Sequence, residues 1–384
     1  MKASLHALLI ATIATSAPVM AQTSAKPPEP NRSEHHDFRV ETVADRLDHP
    51  WGLAFLPDGR MLVTERGGRL RIVTTSGAKS QPLAGVPLVF AREQGGLLDV
   101  ALSPRFAENR LVYLTYAEPR GGGKAGTAVA RGRLVEEITG ARLDEVQVIF
   151  QQQPAAGGGG HFGSRLAFAK DGRLFVTLGE RYQSDRAQDL SGHLGKVVRI
   201  EADGSVPGDN PFIGRSDVRP ELWSYGHRNP QSAAIHPETG KLWTVEHGPR
   251  GGDEINVPLA GLNYGWPVIG YGIDYSGAKL HASTHRPGME QPIHYWVPSI
   301  APSGMAFYTG DQFPRWKGNL FVGALAMQHL NRLELDGERI VREERLLKRL
   351  QERIRDVRQG PDGLIYLLTD HPDGRILRLM PAGN

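Results

Sequence analysis

Residues 164–180 read SRLAFAKDGRLFVTLGE. Two apolar runs, LAF and LFVTL, flank a Lys-Asp-Gly turn, and that spacing predicts a tight antiparallel hairpin, because Asp and Gly supply the turn while branched and aromatic residues suit strands. The unit recurs as WGLAFLPDGRMLVTER at 51–66, LLDVALSPRFAENRLVYLTY at 97–116, QSAAIHPETGKLWTVEHG at 231–248, SGMAFYTGDQFPRWKGNLFVGAL at 303–325 and RDVRQGPDGLIYLLTD at 355–370. Further β-like runs, among them LRIVTT, VARGRLVE, GKVVRIEA, LNRLELDG and RILRLMP, follow several copies. Six copies at spacings of roughly fifty to seventy residues predict an all-β, six-bladed β-propeller with four-stranded antiparallel blades. A β-sandwich would not require one hairpin signature at six stations. FRVETVA near the start and RILRLMP near the end are candidates to share a blade, which would close the ring and protect its edges.

At 384 residues and 40% hydrophobic, the chain can bury a sizeable core. Lys2, the apolar LHALLIATIAT and then APVMA have the form of a signal peptide over 1–21, so the protein is expected to be periplasmic or secreted. That apolar segment is too short to span a bilayer comfortably and nothing later is longer, so no membrane span is expected. QTSAKPPEPNRSEHH, over 22–36, reads as a flexible lead-in, and 37–384 as a single propeller domain. The absence of cysteine excludes disulfides, thiolate metal sites and a Cys nucleophile. A net charge of +3 with interspersed signs gives no basic stripe for nucleic acid.

In a propeller, equivalent stations of the blades gather around one end of the central channel, which is where an active site is expected. The polar residues fall at such stations: REQGGLLDV before the second copy, GGGGHFGSR before the third, YGHRNPQ before the fourth, and RIRDV opening the sixth. The glycines allow backbone to approach a flat ligand, and His161 is placed as a base near neutral pH, with Glu180 at the end of the following hairpin to orient it. Taken alone, His161 also reads as a surface histidine on a glycine hinge. Its company at matching stations is Gln94, Arg228, Asn229, Arg353 and Arg355, and several cations and amides at one mouth suit an anionic ligand. EHGPRGGDEINVPLAGLNYGWP is rich in carboxylate and exposed carbonyl, a donor set suited to Ca²⁺, although a carboxylate turn without metal has the same look.

Together and in order, EQGGLLDVALSP, HFGSRLAFAKDGRLFVTLGE, YGHRNPQ, EHGPRGGDEIN, NYGWP and RIRDV resemble the soluble quinoprotein sugar dehydrogenases, specifically the PQQ-dependent aldose sugar dehydrogenases (the quinoprotein glucose/sorbosone dehydrogenase family), from about Phe38 to Pro381. The resemblance implies a six-bladed propeller that binds pyrroloquinoline quinone (PQQ) and Ca²⁺ and oxidises aldose C1 hydroxyls to lactones. It implies that His161 takes the hydroxyl proton while hydride passes to the quinone C5, with Glu180 where the family often has Asp. Gln94 is implied to meet substrate or cofactor, Arg228 and Asn229 to bind the quinone oxygens, and Arg353 and Arg355 to hold PQQ carboxylates. Gly248 and Pro249 match carbonyl ligands of the cofactor's Ca²⁺, and Glu254 and Tyr264 resemble ligands of a structural calcium. Ala326 stands where the glucose dehydrogenase pattern places a cofactor-binding Lys, which implies either weaker PQQ binding or a contact supplied elsewhere. Long loops of the glucose enzyme are short here, in keeping with an open pocket and a monomer, and electrons are implied to pass to an external acceptor. Two rival classes fit the same propeller: a calcium-dependent hydrolase such as a lactonase, and a carbohydrate-binding module without chemistry.

Overall fold

Each of the six hairpin copies forms the two innermost strands of its own antiparallel sheet, and the inner strands of neighbouring sheets touch all the way round a ring. The structure, a computed structural model, describes residues 30–138 and 140–383, so the signal peptide expected over 1–21 lies outside the described residues. The architecture is the expected six-bladed β-propeller, and five blades have four strands. The first has three, Pro50–Phe55, Met61–Glu65 and Arg69–Val73. Its outer edge is instead covered irregularly, with Ser80 N–H donating to Ile72 O and Leu83 N–H to Leu70 O, both at 2.8 Å. Pro82, which has no N–H, sits between them and cannot continue a ladder.

The second strands, such as Met61–Glu65, Leu174–Leu178, Leu242–Glu246 and Ile365–Thr369, are buried at every position. Neighbouring blades cover both of their faces, so they are near-continuously apolar, whereas an outer strand such as Arg339–Leu346 is largely exposed. The last blade closes the ring: Phe38–Leu47 pairs antiparallel with Gly374–Pro381, from Phe38 opposite Pro381 to Leu47 opposite Gly374. Within the stretch expected as a lead-in, residues 31–36 are in contact with the fold. Asn31 exchanges backbone hydrogen bonds with Phe38, Glu34 pairs with Arg332 and Arg342, and His36 lies edge-on to Phe313 and Trp316.

Blade-to-blade seams use a repeated hydroxyl on the second strand. Thr64, Thr115 and Thr177 donate to the carbonyls of Leu98, Ser164 and Pro230, each on the inner strand of the next blade. Lower in the channel, inner-strand charges form a closed cluster. Asp99 accepts from Arg165 at 2.9 Å and Arg358 at 3.0 Å, and Asp356 lies 3.1 Å from Arg165 and 2.9 Å from Arg358. Asp99, Arg165 and Asp356 are essentially inaccessible, so the channel is shut at this level, while the Arg358 side chain keeps 26% of its surface exposed; the mouth described below opens at the end where inner strands begin. Among the described residues no helix is long and apolar enough to cross a membrane.

Candidate active site

Because every inner strand starts at the open end, residues just before it and residues ending the second strand meet there. His161 precedes the inner strand of the third blade, and Glu180 follows that blade's second strand. The two are buried, and both Glu180 oxygens lie 2.9–3.0 Å from His161 Nδ1. A carboxylate only accepts, so Nδ1 carries the proton and Nε2 keeps its lone pair. No described residue hydrogen-bonds Nε2. Burial lowers the His161 pKa, with Arg228 adding to the effect and the Glu180 hydrogen bond opposing it, so the ring is neutral at neutral pH.

The rest of the loop fixes this imidazole. Gln94 accepts the His161 backbone N–H at 2.9 Å and donates its own backbone N–H to Gly159 O at 2.9 Å. Arg181, buried, directs its guanidinium at the carbonyls of Gly158 and Gly160 and lies over the Phe162 ring, 3.6 Å from its centroid. The Tyr182 ring covers His161 at 4.1 Å, and a Cβ on Gly160 would stand 2.2 Å from the Tyr182 hydroxyl. A side chain at 160 would therefore have to displace the Tyr182 ring from over His161.

Beside His161 opens a cavity of about 270 Å³ whose lining includes Trp51, Gln94, Phe162, Gln231, Arg353 and Arg355. Arg353 and Arg355 both reach Asp370 at 3.1 Å, and Arg355 also donates to Gln231 at 3.1 Å. Burial alone would raise the Asp370 pKa, but Arg355, Arg353 and Arg66 hold it well below the usual range. Asn229 accepts the Gly163 N–H at 3.1 Å, while its Nδ2 is buried without a partner; Arg228 Nε and Arg355 Nε are buried and unpartnered too. Buried donors left unsatisfied by the protein are costly and are the natural contacts of an acceptor-rich ligand.

Arg228 Nη1 donates to the carbonyls of His247 at 3.0 Å and Gly248 at 2.8 Å, so two backbone oxygens already converge on a positive charge. Pro249, Glu254 and Tyr264 line a narrow adjoining chamber together with Gly248 and Arg228. Burial, then the charge of Glu246, pushes the Glu254 pKa up to about 8. The Tyr264 hydroxyl is committed elsewhere, donating to Val257 O and accepting from Leu259 N–H, which leaves its backbone oxygen as the donor it can offer a metal. Among the described residues no three His, Asp or Glu side chains converge on one point, so a metal here would rest mainly on carbonyls, with Glu254 and Glu246 the carboxylates that line the chamber.

Sequence reasoning passed over Trp51, Arg66, Gln231 and Asp370, and weighed His247 only as a metal ligand with no second histidine at a matching spacing; all five line the cavity. The repeat held the signal: Arg66 and Asp370 end the first and sixth copies as Glu180 ends the third.

The glucose/sorbosone dehydrogenase family matches residues 47–378. The aldose sugar dehydrogenase YliI of Escherichia coli (strain K12) is 49% identical over 345 residues, covering 89% of this chain and 92% of that protein. A crystal structure of a glucose dehydrogenase superposes with a TM-score of 0.87 at 53% identity, covering 90% of this chain and 100% of the other. The PQQ-bound form of an aldose sugar dehydrogenase from Streptomyces coelicolor gives 0.73 at 28% identity, covering 89% and 98%. The chain thus belongs to the glucose/sorbosone dehydrogenase family of oxidoreductases.

Proposed function

We propose that the protein oxidises aldose sugars at C1 to lactones with PQQ and Ca²⁺, and passes the electrons to an external acceptor. The observation that carries this reading is the neutral His161, gripped at Nδ1 by Glu180 and unengaged at Nε2, beside a cavity lined by Arg353 and Arg355, with buried unpartnered donors on Arg355, Arg228 and Asn229. PQQ, when bound, supplies the electrophilic quinone that accepts hydride.

The residues present fit that cofactor. Arg353 and Arg355 offer guanidinium forks for carboxylates, and the unpartnered donors of Arg228 and Asn229 suit quinone oxygens. Trp51 provides a flat wall, with the Arg355 guanidinium 5.7 Å from its ring centroid. The oxygens of Gly248 and Pro249 are the donors for the cofactor's Ca²⁺, and Glu254 with the Tyr264 backbone those for a second ion; all are hard oxygen ligands of the kind calcium takes.

In the chemical step His161 Nε2 accepts the proton of the C1 hydroxyl, and Glu180 stabilises the imidazolium that results. Gln94 keeps the histidine backbone in register, and Arg228 offsets negative charge that develops at the reacting oxygens. A periplasmic or secreted, monomeric enzyme is part of the proposal and rests on the leader-like 1–21 and the short loops.

The direct test adds PQQ and Ca²⁺ to the purified protein and follows quinone absorbance during titration with an aldose. Sugar-dependent bleaching is expected, slowed by roughly 10²- to 10⁴-fold in His161→Ala. PQQ binding with no bleaching by any aldose tried would overturn the reaction assigned here.

A further inference from the structure

We infer that Arg66 is a third guanidinium that binds a carboxylate of PQQ, and that it supplies the cation missing at Ala326. The inference rests on the cofactor assignment above and adds a residue to it.

Arg66 follows the second strand of the first blade, at the same station as Glu180 and Asp370 in theirs, and its side chain lines the cavity with Arg353 and Arg355. Its backbone is pinned, with N–H donating to His49 O at 3.1 Å and O accepting from Leu97 N–H at 3.0 Å. A Cβ on Gly96 would fall 1.9 Å from Arg66 O and 2.7 Å from its Cγ, so the neighbouring blade leaves room for this arginine only because it has glycine there.

What separates Arg66 from the other cations of the mouth is that its side chain has no hydrogen-bond partner among the described residues. Arg353 has Leu325 O and Asp370, and Arg355 has Gln231 and Asp370. Arg66 comes no closer than 3.7 Å to Asp370 Oδ1, while Asp370 Oδ2 is shared by the other two. Its side chain is 22% exposed, enough to reach the cavity and too little for full hydration.

Three guanidiniums thus face a single carboxylate, and the excess positive charge awaits a multiply anionic ligand. Arg66 has its whole fork unspent, so it can meet a carboxylate without breaking an existing bond. Position 326 is exposed on the same rim: its N–H donates to Ile300 O at 3.0 Å, and the preceding Leu325 lines the cavity. A lysine there and an arginine at 66 would serve the same ligand from different blades.

The experiment titrates PQQ into the calcium-loaded protein and reads the dissociation constant from quenching of tryptophan fluorescence, for which Trp51 lies in the cavity wall. Arg66→Gln is expected to weaken binding by roughly 10- to 100-fold, the range for losing a charged hydrogen bond. Arg66→Lys should recover part of the loss, and Arg66→Gln should show a shallower dependence on salt. If Arg66 only balances Asp370, the thermal midpoint shifts while the dissociation constant stays within about twofold of wild type, and the inference fails. Should Arg66→Gln not fold, phenylglyoxal modification of the native apoprotein, mapped by peptide mass spectrometry, decides: PQQ should protect Arg66, and equal modification with and without PQQ overturns the assignment. No saturable PQQ binding by the wild-type protein would instead overturn the cofactor assignment itself.

Discussion

Glu180 presents both oxygens to one imidazole nitrogen, so changing it alters the proposed base in two separable ways. Burial lowers the His161 pKa and Glu180 opposes that fall, so removing the carboxylate lets the pKa drop further. In Glu180→Gln the acid limb of kcat/KM should move to lower pH than in wild type. Turnover on the plateau should also fall, by roughly 10²-fold or more, because an amide can hold the wrong tautomer and cannot neutralise an imidazolium. A pH profile of initial rates with saturating PQQ checks both, and an acid limb moved to higher pH would contradict the assignment. The pairing of His161 with Glu180 was legible because they bracket one short hairpin. The hold of Asp370 on three arginines was not, since Arg66 and Asp370 are brought together only by closure of the ring, and a charged residue ending a strand reads locally as solvated.

At the scale of the element, the repeat that announces the blades also carries their fastening. Thr177 donates across the seam to Pro230 O at 3.0 Å and accepts Arg165 N–H at 3.0 Å, both buried. Thr177→Val keeps the shape and strands both partners, which should cost about 1–3 kcal/mol, read from urea unfolding. Exposed Thr substitutions should fall within about 0.5 kcal/mol of wild type. The hairpins themselves were readable because turn residues and apolar runs are local properties. The missing fourth strand of the first blade escaped because a covering segment interrupted by Pro82 satisfies backbone groups without a strand pattern. The contacts of residues 31–36 escaped for another reason: a short polar stretch shows no periodicity even when its few side chains find partners in a distant blade.

For the whole molecule, the buried cluster of Asp99, Arg165, Asp356 and Arg358 ties together inner strands of the second, third and sixth blades. Asp99→Ala would leave buried Arg165 and part-exposed Arg358 to share Asp356, at an expected cost of about 1–3 kcal/mol. Chemical denaturation should show this as a lower midpoint, and a midpoint unchanged from wild type would mean that the cluster is not coupled to folding. The cluster has a second meaning for traffic. A ring molecule invites the picture of a tunnel with an entry and an exit, but this one is a cul-de-sac. On the proposed function, sugar, lactone and electron acceptor would share one doorway, and rising sugar would be expected to slow its own oxidation.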